Sequence, residues 1–158
     1  MSIRIGQGID FHQLEKGLKL WLGGILIPSE KGCVAHSDGD VLLHAVCDAM
    51  LGAAGLSDIG YYFPDTSPEF KDIDSKILLK KTYDLIKTRG FRVVNIDSTV
   101  CLEKPRISPF IPGMKTVISS IIETTEDDVS IKATTTEKMG FIGRDEGVAA
   151  IAVALISK

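Results

Sequence analysis

The stretch HSDGDVLLHAVCDAMLGAAG, residues 36–55, constrains this chain more than any other. Leu42, Val46, Ala49, Met50 and Ala53 recur at helical spacing and form one apolar stripe. A stripe of this kind has to pack against another element. Ser37 or Asp38 suits the N-cap, with acids filling the first turn, and Gly55 suits the end. Asp40, His44 and Asp48 follow one another at i, i+4 and i+8, off the stripe and on a face of their own.

Elements to pack against it flank this helix on both sides. Residues 3–12 read as a strand, with Ile3, Ile5 and Ile9 apolar. LKLWLGGILIP, residues 18–28, reads as a hairpin bent at Gly23–Gly24. Residues 57–70 form a loop rich in turn residues and aromatics. Residues 74–89 read as a helix closed by Gly90, and 91–102 as a strand. Ile111, Met114, Val117, Ile118, Ile121 and Ile122 share one helical stripe. Residues 129–136 read as a strand entering a polar loop. Residues 147–157 fit a buried strand or a helix; a strand is preferred because the run follows Gly147 and ends the chain. This order predicts an α+β sandwich: one mixed sheet with helices packed on one side. At 158 residues a single domain spanning 1–158 is expected, large enough to bury a core without staples.

The formal net charge is −3, so no basic excess marks a nucleic-acid or membrane surface. An anionic substrate needs only a local cationic site. Cys33, Cys47 and Cys101 are odd in number and form no CxxC, which fits free thiols in a reducing compartment. MSIRIGQGID lacks the apolar core of a signal peptide, and no apolar run approaches the ~20 residues of a membrane span. A soluble cytoplasmic protein is expected.

In GIDFHQL, residues 8–14, Asp10 and His12 stand at i and i+2 and project from one face of the first strand. A carboxylate oxygen and an imidazole nitrogen at that spacing suit two ligands of one divalent metal. The three histidines, His12, His36 and His44, all fall within residues 12–44. His44, off the apolar stripe, is the choice for third ligand. Asp, His, His suits zinc and leaves a fourth position open, the pattern of a catalytic site. Asp48 or Asp40 would then hold the His44 ring from behind. Plainer readings stand beside these. Asp40 and His44 also make an ordinary surface i, i+4 pair. Cys47, one turn from His44, either ligates or simply packs.

Two segments suit phosphate. AHSDGD, residues 35–40, leads into a helix N-terminus, where Ser37 and His36 would meet an anion, although Ser37 serves equally as a cap. KATTTEKMGFIGRDEG, residues 132–147, offers threonine hydroxyls, the hard oxygen of Glu137 for Mg²⁺, glycines at 140 and 143, and the cations Lys132, Lys138 and Arg144. It matches no Walker pattern, and a run of threonines also suits a plain strand.

Taken together, GIDFH, IPSEKGCVAHSDGDVLLHAVCDAMLGAAGLSDIG, FPDTSPEFK and KATTTEKMGFIGRDEG resemble the 2-C-methyl-D-erythritol 2,4-cyclodiphosphate synthase family of non-mevalonate isoprenoid (terpenoid) biosynthesis. The resemblance covers nearly the whole chain. It implies that Asp10, His12 and His44 bind zinc, and that Asp10 and His12 also border the substrate. His36 and Ser37 match positions on the substrate phosphates, with His36 a transition-state stabiliser. Asp58 and Gly60 match positions around the methylerythritol part. Phe63, Pro64, Asp65, Thr66 and Ser67 match a mobile loop over it. Glu137 matches the residue facing a second divalent ion, Mg²⁺ or Mn²⁺. Thr134, Thr135 and Thr136 match the nucleotide-side strand, with Thr135 a second transition-state contact, and Phe141 and Arg144 match further substrate contacts. LEKPRIS, residues 102–108, sits where the family holds cytosine, largely through backbone groups, which places Lys104, Pro105 and Arg106 at the base. Here the match is poorest, because the family usually shows a small residue before the proline and lysine after it. Gln7 and Ile9 also depart from the pattern, away from the ligand positions.

The resemblance further implies a homotrimer assembled around the sheets, with active sites between subunits. The implied reaction is a phosphorus–oxygen lyase step. In 4-diphosphocytidyl-2-C-methyl-D-erythritol 2-phosphate the 2-phosphate attacks the β-phosphorus, CMP leaves and a cyclic diphosphate closes. A zinc phosphohydrolase releasing linear products, or a nucleotide-binding module without turnover, are the rival readings.

Overall fold

The placement of the central helix follows from the residues on one face of the first strand. The computed structural model describes residues 2–158. The first strand, β1, runs Ile3–Lys16, longer than the hydrophobic pattern alone suggests. A hairpin follows, β2 (Leu20–Leu22) and β3 (Ile25–Ile27), then β4 (Lys31–Cys33). Helix α1 is Val41–Ala54, α2 is Ile59–Tyr62, α3 is Ser75–Thr88. Strand β5 (Arg92–Cys101), helix α4 (Ile111–Ile121), strand β6 (Val129–Thr134), the short helix α5 (Gly140–Gly143) and strand β7 (Gly147–Ser157) complete the chain.

Five strands form one mixed sheet in the order β4-β1-β7-β5-β6, and β2 pairs with β3 apart from it. Among the described residues only β5–β6 is a parallel pair; its crossover carries α4, as a parallel connection requires. The terminal strand β7 is central, which accounts for its near-continuous apolar run.

The sheet has two unlike faces. On β1 the even-numbered residues Gly6, Gly8, Asp10 and His12 face α1. In register with them on β7 and β5 lie Ala150, Ala152 and Ala154, then Ile96, Ser98 and Val100, all buried. The odd-numbered Ile3, Ile5, Ile9 and Phe11 project from the opposite face and are 48–71% exposed.

Gly6 and Gly8 set the depth at which α1 lies. A Cβ on Gly8 would stand 2.0 Å from the Ala45 carbonyl oxygen, and one on Gly6 2.1 Å from that of Ala49. The helix answers with small residues at this contact, Ala45, Ala49 and Ala53. Its other sides meet α3 and the sheet, so Leu42, Leu43, Met50 and Leu51 are fully buried too. The apolar stripe read from the sequence is therefore part of a helix buried nearly all round. Each such large side chain contributes roughly 1.5–3 kcal/mol relative to exposure.

Several boundaries differ from the sequence reading. The N-cap of α1 is Asp40, not Ser37 or Asp38, and its first turn holds no acid. Asp40 is fully buried and accepts the backbone N–H groups of Leu43 (3.0 Å), Gly23 (2.9 Å) and Gly24 (2.7 Å). Cap preference alone could not show that the hairpin bend supplies two of the three donors. Residues 57–70 contain α2 and a 3-10 turn over Pro68–Phe70, because Asp58 caps Tyr61 N–H locally. Strand β6 stops at Thr134, so Thr135 and Thr136 lie beyond it. Gly55 ends α1 in the left-handed conformation, with φ 70°.

Gly8→Ala should lose about 3 kcal/mol or more, since backbone of α1 rather than a yielding side chain occupies the space. Denaturant unfolding checks this; a loss below about 1 kcal/mol means the helix shifts freely on the strand.

Candidate metal centre and active site

The close seat of α1 on β1 brings His44 over Asp10 and His12. Asp10 Oδ2 lies 3.0 Å from His12 Nε2 and 3.0 Å from His44 Nδ1, and the two ring nitrogens are 3.2 Å apart. Three ligand atoms, one from each residue, lie within 4.8 Å of one another. A carboxylate oxygen with two imidazole nitrogens is a donor set for a borderline divalent ion. The His44 side chain is 11% exposed and His12 16%, while Asp10 keeps 26%, so the cluster opens on one side. This is the constellation the strand and helix spacings predict.

The charges match that use. Burial raises the Asp10 carboxyl, but hydrogen bonds and charge from His12 and His44 outweigh it and hold it well below the usual carboxylate range. Burial lowers His44, and the Asp10 carboxylate more than offsets this, so the ring stays protonated above its ordinary range. Burial pushes the Cys33 and Cys47 thiols up to about 12. Cys47 is fully buried in the core, and its sulfur is not among the ligand atoms that converge at Asp10, His12 and His44. Cys47 packs, as the plainer reading has it.

The expectation that Asp48 or Asp40 holds the His44 ring is corrected. Asp40 is spent on the helix cap and hairpin, and Asp48 accepts Ile59 N–H at 2.7 Å. His44 Nε2 instead meets Ser75 Oγ at 2.9 Å and Ser37 Oγ at 3.3 Å. Ser75 escaped the sequence reading. It begins α3, 31 residues from His44, and no local spacing links the two.

A cavity of about 480 Å³ adjoins the cluster, lined by His12, His36, Ser37, His44, Gly60, Phe63, Pro64 and Asp65 among others. His36 Nε2 donates to the Ser67 carbonyl at 3.0 Å, and Asp72 N–H donates to the His36 carbonyl at 2.7 Å. His36 thereby tethers the 63–70 segment across the pocket. Thr66 lies in the same segment without lining the cavity. Asp58 uses its carboxylate to cap α2.

The remaining residues singled out in the sequence gather elsewhere. Pro105, Arg106, Thr134 and Thr135 line a second cavity of about 400 Å³ with Leu102, Glu103 and Ser108. Lys104 reaches Asp145, 3.5 Å away. Thr134 and Thr136 donate their hydroxyls to the carbonyls of Thr135 and Met139. Thr135 Oγ1 accepts Glu137 N–H at 3.3 Å. Glu137 is exposed in a left-handed turn with φ 53°. Phe141 packs on Phe11, ring centres 6.2 Å apart, and Arg144 forks onto Glu146. Asp10, Ala150, Val100 and Ala133 share one row across the sheet. The two cavities therefore sit at one end of the sheet, three strand spacings or roughly 14 Å apart.

A metal ion needs the Nδ1 lone pair of His44, and the raised pKa keeps a proton there. Metal affinity should fall as the pH is lowered, and the fall should begin above the ordinary imidazole value of ~6.5 rather than at it. Metal titrations between pH 5.5 and 8.5 read this directly; a flat profile down to pH 6 contradicts it.

Comparison with known proteins gives the family and the fold. The model of the YgbB family matches residues 3–157. A Bacteroides thetaiotaomicron protein named 2-C-methyl-D-erythritol 2,4-cyclodiphosphate synthase is 58% identical over 158 residues, covering 100% of this chain and 99% of its own. A solved 2C-methyl-D-erythritol-2,4-cyclodiphosphate synthase in a CDP-bound form superposes with a TM-score of 0.90 at 36% identity, over 98% of this chain and 100% of that one. The bifunctional IspDF from Campylobacter jejuni superposes with a TM-score of 0.94 at 43% identity, over 98% of this chain but only 42% of that longer one. This chain belongs to the YgbB family.

Proposed function

We propose that this protein is an enzyme of the lyase type, a 2-C-methyl-D-erythritol 2,4-cyclodiphosphate synthase acting in isoprenoid precursor biosynthesis. The observation that carries the reading is the Asp10–His12–His44 cluster opening into the His36–Ser37 pocket. It lies in a chain 58% identical, end to end, to a relative of that name. The substrate is 4-diphosphocytidyl-2-C-methyl-D-erythritol 2-phosphate. An oxygen of its 2-phosphate forms a bond to the β-phosphorus, the bond from that phosphorus to the CMP oxygen breaks, and CMP leaves with the electron pair. The chemistry needs no protein nucleophile.

Asp10, His12 and His44 would hold zinc, and Glu137 a second ion, Mg²⁺ or Mn²⁺; bound there, these ions supply positive charge to phosphate oxygens. The chain's own groups do the rest. His36 and Ser37 hold phosphate oxygens at the mouth of the metal pocket. The Thr135 hydroxyl meets the charge that develops on the transferring phosphorus, as His36 does from the other side. Residues 63–67 close over the methylerythritol part, beside Asp58 and Gly60, and keep water out. Residues 102–106 take the cytosine, and Phe141 and Arg144 complete the nucleotide side. Holding attacker and phosphorus in line removes much of the entropic barrier.

Within one chain the metal pocket and the base cavity stand roughly 14 Å apart across the sheet. The outer face carries exposed Ile3, Ile5, Ile9 and Phe11. Both features support a homotrimer packed through the sheets, in which one subunit's base cavity faces its neighbour's metal pocket. The reading places the protein in the cytoplasm, with no nucleic-acid or membrane partner. Among the described residues no helix is long and apolar enough to cross a membrane.

Purified protein incubated with this substrate and Mg²⁺, followed by ³¹P NMR, should yield a cyclic diphosphate and CMP, and a strong chelator should abolish both. Linear phosphates would indicate a hydrolase, and zinc-loaded protein without turnover a binding module. His44→Ala should lose bound zinc and reduce turnover by roughly 100- to 1000-fold, the scale of one transition-state charge contact; full zinc content sinks the ligand assignment. Glu137→Ala should raise the Mg²⁺ concentration needed for half-maximal rate with zinc content unchanged; an unaltered Mg²⁺ dependence refutes its role.

A further inference from the structure

We propose that Ser75 and Asp38 are positioning residues for the metal centre, holding the His44 ring as the tautomer that carries its proton on Nε2 and turns the Nδ1 lone pair to the ion. The inference rests on the zinc reading of Asp10, His12 and His44.

The hydrogen-bond directions are forced. Both carboxyl oxygens of Asp38 accept, Oδ2 from Ser75 N–H and Oδ1 from Asp40 N–H. Asp38 Oδ1 lies 2.5 Å from Ser75 Oγ, so the serine proton points at Asp38. The lone pairs of Ser75 Oγ then face His44 Nε2 at 2.9 Å, and Nε2 has to be the donor. With Nε2 committed as a donor, the proton that the ring gives up to a metal ion is the one on Nδ1, which lies 3.0 Å from Asp10 Oδ2 and 3.2 Å from His12 Nε2. A ring turned over or protonated the other way would bring a donor to the metal and a lone pair to a serine whose one proton is already used.

This backing is built rather than incidental. Ser75 is fully buried. Asp38 is held by Ser75 N–H on Oδ2 at 2.9 Å and by Asp40 N–H on Oδ1 at 3.1 Å, and its own N–H donates to the Ile73 carbonyl at 3.1 Å. The start of α3 is thus locked to the lead-in of α1, and the lock ends on the ring. Ser37 Oγ, at 3.3 Å from the same Nε2, is the longer contact and also accepts Gly39 N–H. It faces the substrate pocket, so it can meet a phosphate while Ser75 keeps the ring.

The decisive measurements are zinc affinity by competition with a chromophoric chelator and the His44 tautomer by long-range ¹H–¹⁵N correlation on the zinc-loaded protein. Ser75→Ala should bind zinc ten- to one-hundredfold more weakly, and Ser75→Thr, which restores the hydroxyl, should stay within about threefold of wild type. The wild-type spectrum should show His44 protonated on Nε2. A zinc affinity for Ser75→Ala within threefold of wild type overturns the proposal. So does an equal loss in Ser75→Ala and Ser75→Thr, which marks a purely structural serine. If Ser75→Ala does not fold, the wild-type spectrum still decides: a proton on Nδ1 refutes the assignment. Wild-type protein that takes up no zinc overturns the metal reading and this inference together, whereas zinc uptake with cyclic product and an insensitive Ser75→Ala overturns this inference alone.

Discussion

The approach of α1 to β1 at Gly6 and Gly8 is the contact on which the rest of the structure depends. Two missing side chains let the helix backbone lie where Cβ atoms would otherwise stand, 2.0 and 2.1 Å from carbonyl oxygens of Ala45 and Ala49. His44 adjoins the first of those alanines, and Asp10 and His12 continue the same strand face beyond Gly8. The seat of the helix and the convergence of three ligands are one geometric fact. A helix held off by ordinary side chains would carry His44 away from Asp10, and the 3.0 Å contact would open.

Holding a cluster of acids so close to an apolar helix requires that each be answered. Asp40 is fully buried, where burial pushes its carboxyl up, yet it accepts three backbone N–H groups. Those donors tie the β2–β3 hairpin to the helix start. Asp48 is answered by Ile59 N–H and Asp38 by Ser75. The acids around the metal cluster are thereby divided by task. Asp10 is left with one oxygen on both imidazoles, and the others fix the backbone that presents them.

Much of this is legible in the sequence where the signal is local. Period-two alternation marks β1, helical spacing marks α1 and α4, and Gly23–Gly24 and Gly55 mark a bend and an end. The Asp10–His12–His44 cluster, which could hold a metal, is legible because i, i+2 on a strand dictates a shared face and only three histidines exist to supply a partner. The failures fall where a residue's partner is distant. Asp40 became the cap because a hairpin 16 residues upstream lends it donors. Ser75 backs His44 across 31 residues, and no spacing rule reaches that far. The homology-derived positions, among them Thr135 and Arg106, carry no local pattern that distinguishes a ligand contact from a plain strand end or a surface cation.

The separation of the two cavities follows from the same sheet. Strand β7 lies between β1 and β5, so the row through Asp10 reaches β6 only after three strand steps. The loops that follow β5 and β6 therefore open at the same end of the sheet as the metal pocket but not into it. No motion of side chains closes a gap of roughly 14 Å between groups rooted in one rigid sheet. Under the proposed function, a substrate with a diphosphate between cytosine and methylerythritol would be long enough to need both cavities. In the proposed homotrimer a second copy placed against the sheet would bring the two together. Exposed isoleucines on the outer face of β1 would give the proposed trimer an apolar surface to pack, while the polar groups of the two cavities would stay at its rim.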